Sequence, residues 1–165
     1  MRRVASAIGL FAAGTLFGTL LMQPGEAQSS RIEGIRLNHV GVWAKDLNES
    51  SAFYTKVMGF REGFAMKDPK GNPTTYYLQI NKDTFLELAK APSDRQPGLS
   101  HIGIWVDDIK SVVSTLRERG QKVDDARVLG SKAPLTNIMD PDGNRIELLE
   151  FTPDSLQRKA IDSWK

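Results

Sequence analysis

Two short stretches of this chain share one pattern: NHVGVWAKDL runs from Asn38 to Leu47, and SHIGIWVDDI runs from Ser100 to Ile109. In each stretch a histidine is followed by a β-branched residue, a glycine, a second β-branched residue and a tryptophan. These two histidines are the only ones in the chain. The alternation is typical of a β-strand, in which successive side chains point to opposite faces of a sheet. The repeat therefore predicts one kind of strand used twice, once in each of two related modules.

Each repeated strand is followed by the signals of a helix. Asp46 after the first strand, and Asp107 or Asp108 after the second, carry side chains that cap the first turn of a helix. Gly59 and Gly120 are predicted to end these two helices, since glycine readily adopts the left-handed conformation found just beyond a helix. Both modules therefore begin with a strand and then a helix.

Three further strands are predicted after each helix, because apolar stretches there alternate with clusters of turn residues. They cover residues 60–66, 74–80 and 84–89 in the first module and 121–128, 135–140 and 144–151 in the second. The sequence thus predicts an α+β fold of two tandem βαβββ modules, with a single domain over 36–151, module 1 at 36–91 and module 2 at 98–151. A short helix is predicted in the C-terminal tail, packed on the body or on a partner chain, over residues 152–165.

The composition excludes several classes of function. The chain has 165 residues, a formal net charge of +2 and no cysteine. Disulfides, thiolate metal ligands, a cysteine nucleophile and a lipoprotein anchor are therefore all excluded. The charge is close to zero and no basic run is interleaved with aromatic residues, so no nucleic-acid partner is expected.

The first 27 residues are predicted to be a signal peptide. Arg2 and Arg3 precede an apolar stretch over residues 4–22, and Gly25-Glu26-Ala27 provides a small-x-small cleavage site. Cleavage after Ala27 would leave residues 28–35 as a linker and place the protein in the periplasm or outside the cell, free of the membrane. The alternative is an uncleaved anchor, because the 19 residues of the apolar stretch are just long enough to span a bilayer.

Two carboxylates occupy equivalent positions in the two modules. Glu87 follows His39 by 48 residues, and Glu147 follows His101 by 46 residues. Each glutamate lies among apolar residues of a predicted strand, where burial of a carboxylate is costly unless it is paired or coordinated. Two imidazoles and two carboxylates make a set of ligands suited to Zn²⁺, Ni²⁺, Co²⁺, Mn²⁺ or Fe²⁺. The sequence therefore predicts one divalent-metal site shared by the two modules.

Two tryptophans share the predicted strand faces of the histidines. Trp43 lies on the face of His39, and Trp105 lies on the face of His101. Either they form an aromatic wall of a substrate pocket beside the metal, or they fill the core of the sheet. The sequence does not distinguish these two roles.

The chain from about residue 36 to 151 resembles the vicinal oxygen chelate superfamily, which includes glyoxalase I, methylmalonyl-CoA epimerase, extradiol dioxygenases and bleomycin resistance proteins. The resemblance rests on LNHVGVWAKDLNESSAFYTKVMGF, FLEL, LSHIGIWVDDI and DPDGNRIELLE. It implies that the paired modules curl into an open, partial barrel around a metal ion. It also implies that the ligands come from the first and last strand of each module and are His39, Glu87, His101 and Glu147.

These four residues form a quartet of ligands, and the complete quartet is most similar to that of bacterial glyoxalase I, a lyase. This similarity implies a small-molecule substrate with two vicinal oxygens, with Glu147 as the first candidate for the proton-transferring base and Glu87 as the second. In glyoxalase I an Arg and an Asn that contact glutathione stand where this chain has Trp43 and Ala91, so a glutathione substrate is not expected. The alternatives are an epimerase of the methylmalonyl-CoA type, an extradiol-type dioxygenase, and a non-catalytic binding or resistance protein. Relatives place such sites either within one chain or across a homodimer, and both arrangements stay open.

Overall fold

The structure is a computed structural model that describes residues 31–165 of the chain. The predicted signal peptide, and with it the alternative of a membrane anchor, lies outside the described residues. Within the described residues, Ile32–Lys165 form one compact unit. No helix in that part of the chain combines the length and apolar character needed to cross a bilayer.

Both modules have the predicted order of elements. The eight strands are β1 (Ile35–Ala44), β2 (Arg61–Lys67), β3 (Pro73–Gln79), β4 (Phe85–Lys90), β5 (Gly98–Val106), β6 (Arg127–Val128), β7 (Pro134–Met139) and β8 (Arg145–Glu150). The three α-helices are α1 (Leu47–Ala52), which continues as a π-helical turn over Phe53–Val57, α2 (Ile109–Glu118) and α3 (Leu156–Asp162). Module 1 contains β1, α1 and β2 to β4, and module 2 contains β5, α2 and β6 to β8.

The strands form a single eight-stranded sheet, curled into a half-barrel, in the order β2-β3-β4-β1-β5-β8-β7-β6. The first strand of each module lies at the centre, where β1 and β5 pair antiparallel. Each of these strands also pairs in parallel with the last strand of its own module, β1 with β4 and β5 with β8. The predicted α+β fold of two tandem βαβββ modules is confirmed, and both modules of the sheet come from one chain.

Helices α1 and α2 begin at the caps that the sequence indicates. The Asp46 side chain accepts a hydrogen bond from the Glu49 backbone N–H at 2.8 Å. Asp108, rather than Asp107, caps α2, and its carboxylate accepts from the N–H groups of Lys110 and Ser111 at 3.0 and 3.1 Å. These bonds satisfy N–H groups that have no partner inside the helix.

The helices pack on both faces of the sheet. Along β4, Leu86 and Leu88 are buried in a cluster that also contacts residues of α1. Phe85, which points to the opposite face because side chains alternate along a strand, packs in a cluster with Ala160 and Ile161 of α3. Helix α3 is thus packed on the body, and it covers part of the sheet face that carries Phe85.

The prediction of a strand over residues 121–128 is wrong for most of that segment. The expected strand over residues 121–128 is reduced to Arg127–Val128, and the preceding six residues form no strand. Val123 is buried beneath α2, and its carbonyl oxygen accepts two hydrogen bonds from the Arg117 guanidinium, at 3.0 and 2.8 Å. The carbonyl of Asp124 similarly accepts from the Thr136 hydroxyl at 3.0 Å. These carbonyl groups bond to side chains rather than to a neighbouring strand, so the sheet ladder does not extend through them.

Candidate metal centre

The two histidines lie next to each other across the central strand pair. In the register of β1 and β5, His39 pairs with Gly103 and His101 pairs with Gly41. Each histidine therefore faces the glycine of the other copy of the repeated phrase. A Cβ atom on Gly103 would lie 1.9 Å from Cε1 of His39, and one on Gly41 would lie 2.1 Å from Cε1 of His101. The glycine two residues after each histidine is thus required by the imidazole of the other module, because no larger residue leaves room for that ring.

The glutamates are placed by the two parallel strand pairs. Glu87 on β4 pairs with Gly41, and Glu147 on β8 pairs with Gly103. The same register is thus used in both modules. Nε2 of His39 lies 2.9 Å from Nε2 of His101, 3.4 Å from Oε2 of Glu87 and 3.7 Å from Oε1 of Glu147. The structure therefore brings together all four residues that the sequence suggests.

The four side chains fit a divalent cation. One ligand atom from each of them lies within 4.8 Å of all the others. Two atoms that each lie about 2.0–2.2 Å from one ion are themselves about 2.8–4.4 Å apart. Three separations between Nε2 atoms and carboxylate oxygens, at 3.4, 3.5 and 3.7 Å, fall in this range. Oε2 of Glu87 is buried and has no hydrogen-bond partner, although it lies 3.4 and 3.5 Å from the two imidazole Nε2 atoms. A buried carboxylate oxygen without a hydrogen-bond partner is costly, and a shared cation would satisfy it.

A β-bulge precedes each histidine and places a second polar side chain beside the imidazole. The register of β1 and β5 shifts once between Leu37 and His39, which makes Asn38 the extra residue of β1. It shifts again opposite Gly41 and Val42, which makes Ser100 the extra residue of β5. An extra residue in one strand breaks the alternation of side chains and turns one of them toward a new direction. The side chains of Asn38 and Ser100 thereby reach Nδ1 of His39 and of His101, each at 3.0 Å.

Asn38 fixes the tautomer of His39. Its Nδ2 donates to the backbone carbonyl of Asp83 at 2.7 Å, so its Oδ1 faces His39 and accepts from Nδ1–H. A neutral imidazole with its proton on Nδ1 has a free lone pair on Nε2, the atom that lies in the quartet. Hydrogen bonding of this kind, from the second nitrogen of a ligating histidine, is a regular feature of metal sites.

His101 has a different environment at the same ring atom. Nη2 of Arg145 lies 2.6 Å from Nδ1 of His101 and donates to Oγ of Ser100 at 3.0 Å. A guanidinium can only donate, so this contact requires an unprotonated Nδ1, whereas Ser100 can accept from Nδ1–H. The two neighbours therefore favour opposite tautomers, and an ion held at Nε2 would favour the one in which Ser100 is the acceptor.

The charges of the quartet are shifted strongly by burial. Burial lowers the pKa of His39 to about 4, so its imidazole is neutral at pH 7. Burial, together with the negative charge of Glu87, raises the pKa of Glu147 to about 7. Burial also acts to raise the pKa of Glu87, but the two imidazoles beside its carboxylate outweigh burial and lower this pKa from its usual value. The two carboxyl groups are thus unequal, and Glu147 is the one able to hold or release a proton near neutral pH.

The two tryptophans lie in different places. Trp43 lines a cleft of about 460 Å³ that also borders His101. Trp105 packs on Phe151 with ring centroids 4.8 Å apart, and the guanidinium of Arg36 lies 4.0 Å from the centre of its indole. Trp43 is therefore the tryptophan that walls a pocket beside the quartet, whereas Trp105 belongs to the packed end of the sheet near α3. A larger cavity of about 630 Å³ lies against α2, but no residue of the quartet lines it.

Sequence reasoning missed three residues of this region. Asn38 and Ser100 are the polar residues directly before the two histidines, and that repeated position is the signal that was available in the sequence. Arg145 lines the cleft and contacts His101. Its signal is its position two residues before Glu147, which puts both side chains on the same face of β8.

A half-barrel of paired βαβββ modules with two histidines and two glutamates at its centre is the architecture of a metal-site protein of the vicinal oxygen chelate type. The sequence model of the glyoxalase/bleomycin resistance protein/dioxygenase superfamily matches residues 36–148. The chain belongs to this superfamily.

Two curated relatives differ in the reaction that their names state. A probable chloroplastic lactoylglutathione lyase of Arabidopsis thaliana is 30% identical over 72% of this chain and 36% of its own length. An ethylmalonyl-CoA/methylmalonyl-CoA epimerase of Cereibacter sphaeroides is 30% identical over 60% of this chain and 78% of its own length. The chain thus spans about a third of the first relative and most of the second.

Solved structures agree on the fold. A methylmalonyl-CoA epimerase in complex with methylmalonyl-CoA and NH₄⁺ aligns with a TM-score of 0.62, covering 73% of this chain and 96% of that one, at 21% identity. At this level of identity the likeness establishes the glyoxalase-like fold and leaves the reaction to be argued from the site.

Proposed function

We propose that this protein is a divalent-metal-dependent isomerase or lyase that moves a proton between adjacent carbons of a small substrate carrying two vicinal oxygens. The observation that supports this most strongly is the convergence of His39, Glu87, His101 and Glu147, with Oε2 of Glu87 buried and without a hydrogen-bond partner. A set of two imidazoles and two carboxylates leaves part of an octahedral coordination sphere for substrate oxygens.

The chain's own residues divide the work of proton transfer. A divalent ion held by the quartet would supply Lewis-acid stabilisation of the negative charge that develops on substrate oxygens when a neighbouring carbon loses its proton. Oε1 of Glu147 lies in the quartet, so Oε2 is left to accept that proton and return it to the adjacent carbon. In the metal-free site, burial and the charge of Glu87 raise the pKa of Glu147 to about 7, so Glu147 holds a proton more readily than Glu87 does.

Glu87 favours a glyoxalase I-like reaction over the alternatives in the same superfamily. Extradiol dioxygenases use two histidines and one carboxylate, and a fourth ligand occupies a position that they leave open. The epimerases have a glutamine where Glu87 stands, which makes an epimerase the second candidate; the 30% identity to an epimerase supports it. Glutathione is not the proposed substrate, because Trp43 and Ala91 replace the polar residues that bind it in glyoxalase I.

The proposal is tested by solvent exchange with a defined metal. Protein stripped with a chelator and reloaded with one equivalent of Ni²⁺ or Zn²⁺ is incubated in D₂O with a panel of hydroxy-ketones, thiohemiacetals and catechols, and deuterium incorporation is followed by NMR. We expect deuterium to appear on carbon in a hydroxy-ketone or thiohemiacetal only when metal is present. We also expect the wild type to bind one equivalent of metal and His39→Ala to bind none.

Other results would point to other functions. Stoichiometric metal binding that neither His39→Ala nor Glu147→Ala changes would contradict the metal site. Bound metal with no exchange on any compound would indicate a binding protein, and oxygen uptake with Fe²⁺ and a catechol would indicate a dioxygenase.

We also propose that the protein is exported to the periplasm or beyond and released from the membrane. The support for this is the order of charged, apolar and small residues over residues 1–27. Sequencing the N-terminus of the protein from a periplasmic fraction tests it: a mature chain that begins at Gln28 is expected, and an intact N-terminus in the membrane fraction would show an uncleaved anchor.

A further inference from the structure

The guanidinium of Arg145 is a positive charge in the cleft, and no carboxylate of residues 31–165 forms an ion pair with it. Its Nη2 contacts Ser100 and His101, as described above. Within residues 31–165, neither its Nε nor its Nη1 has a hydrogen-bond partner, and no carboxylate pairs with it. The side chain is half-buried, so water screens its charge only in part.

The acidic side chains near Arg145 are engaged elsewhere, and Glu147, whose charge interacts with the guanidinium, has its Oε1 in the quartet. Asp140 also lines the cleft, but its carboxylate accepts from Asn144 and from the backbone N–H groups of its own turn. Asp94 pairs with Arg95, the second arginine of the cleft, at 3.9 Å. The Arg95 guanidinium lies 5.7 Å from the centre of the Trp43 indole, so an aromatic wall and a second positive charge line the same cleft.

One imidazole ring, that of His101, lies between Arg145 and the other residues of the quartet. Arg145 contacts Nδ1 of His101, and Nε2 of the same ring lies in the quartet. A ligand group bound by the guanidinium is thus separated from the quartet by the width of that ring. The planar fork of a guanidinium matches the two oxygens of a carboxylate, and such pairs are among the stronger hydrogen-bonded contacts in proteins.

We propose that the substrate is a small carboxylic acid, whose carboxylate is held by Arg145 in the cleft while its vicinal oxygens face the quartet. This inference rests on the proposed function, because it takes the quartet as the place where the vicinal oxygens bind. It names Arg145 as the residue that selects acids over neutral compounds, and Trp43 as the wall against which the connecting carbons lie.

A pair of chelating probes separates the two contacts. Succinic monohydroxamate and butyrohydroxamic acid have the same metal-chelating group and four carbons each. The first ends in a carboxylate and the second in a methyl group. Their binding to the zinc-loaded protein is measured by calorimetry. We expect succinic monohydroxamate to bind the wild type at least tenfold more tightly than butyrohydroxamic acid.

Substitution of Arg145 shows where the preference arises. With zinc saturating, we expect the two probes to bind Arg145→Gln within twofold of each other, because the carboxylate of succinic monohydroxamate no longer has a guanidinium to bind. Lys159→Gln removes one positive charge from an exposed position on α3, outside the cleft, and should keep the full preference.

The outcomes distinguish this inference from the function on which it rests. Equal affinity of the two probes in the wild type would overturn the acid subsite and leave the metal site standing. An Arg145→Gln variant that loses affinity for zinc and for both probes alike would also overturn it, and would make Arg145 a residue that positions His101. Failure of the wild type to bind zinc or either hydroxamate would contradict the proposed function itself.

Discussion

The two modules supply the same ligands, but they surround them differently. In module 1, His39 is completely buried, and Asn38 anchors its Nδ1 to the backbone of Asp83. In module 2, His101 lines the cleft, and its Nδ1 faces Ser100 and the guanidinium of Arg145. The strand register, which both modules share, fixes where the ligands lie. The residues that differ between the modules bury one histidine completely and place the other beside the cleft.

The largest expected effect concerns the inequality of the two glutamates. We predict that Glu147→Gln reduces metal-dependent deuterium exchange by about 10²–10⁴-fold, while Glu87→Gln has a smaller effect. The reason is that the environment of the metal-free site raises the pKa of Glu147 and lowers that of Glu87, which makes Glu87 the weaker base. Exchange rates are compared at saturating metal, with the metal content of each variant measured. A greater loss in Glu87→Gln would reverse the two roles.

The shared register is tested by the two glycines opposite the histidines. Gly41→Ala and Gly103→Ala each place a Cβ atom within 2.1 Å of an imidazole ring, and we expect each to destabilise the fold by about 1–3 kcal/mol and to weaken metal binding. Because the modules are symmetric here, the two variants should resemble each other. The measurements are urea unfolding and metal titration.

Gly63→Ala is the matched control for these two variants. Gly63 lies in β2 of the same sheet, and the nearest atom to its added Cβ would be the Tyr77 carbonyl oxygen at 3.2 Å. It should retain metal affinity. Normal metal binding by Gly41→Ala or Gly103→Ala would mean that the imidazoles do not need the positions described.

The asymmetric surroundings are tested at the two bulged residues. We predict that Asn38→Ala weakens metal affinity by about 10–100-fold, since it removes the acceptor that keeps Nε2 of His39 free. Ser100→Ala should have a smaller effect, because His101 also contacts Arg145 and is held less specifically. Titration with zinc against a chelator of known affinity measures both. Equal losses would show that the two histidines are oriented in the same way.

The last expected effect is the dependence of metal binding on pH. Glu147 must lose its proton before Oε1 binds a cation, and its pKa is about 7 in the folded protein. Metal affinity should therefore rise by about tenfold per pH unit between pH 5 and pH 7 and then level off. His39 does not contribute to this slope, because its pKa of about 4 leaves it neutral over the whole range. In Glu147→Gln, metal affinity should depend less steeply on pH, because the variant has no carboxyl proton to lose at this position. An unchanged slope would contradict the assignment of this proton to Glu147.

Much of the fold and the quartet could be predicted from the sequence, because both depend on local patterns that occur twice. The repeated His-x-Gly-x-Trp phrase indicated the two central strands, and the spacing to Glu87 and Glu147 indicated the outer ligands. The strand register then shows why the glycine belongs to the phrase, since each glycine faces the other module's imidazole.

The surroundings of the quartet could not be predicted in this way, because they depend on pairing between distant segments. A bulge at Asn38 or Ser100 exists only relative to the partner strand, so the unbroken alternation of either strand alone gave no sign of it. The contact between Arg145 and His101 joins residues 44 apart. The predicted strand over residues 121–128 failed for a similar reason, since side chains of Arg117 and Thr136 bind carbonyl groups of this segment.

The central claim is that the two modules bind one ion through all four groups. Anomalous diffraction at the nickel edge from crystals of the Ni²⁺-loaded protein tests it directly. The account predicts one strong peak, about 2.0–2.2 Å from Nε2 of both histidines and from one oxygen each of Glu87 and Glu147. A peak bound by only one module, or no peak at the quartet with nickel present in the crystal, would contradict it.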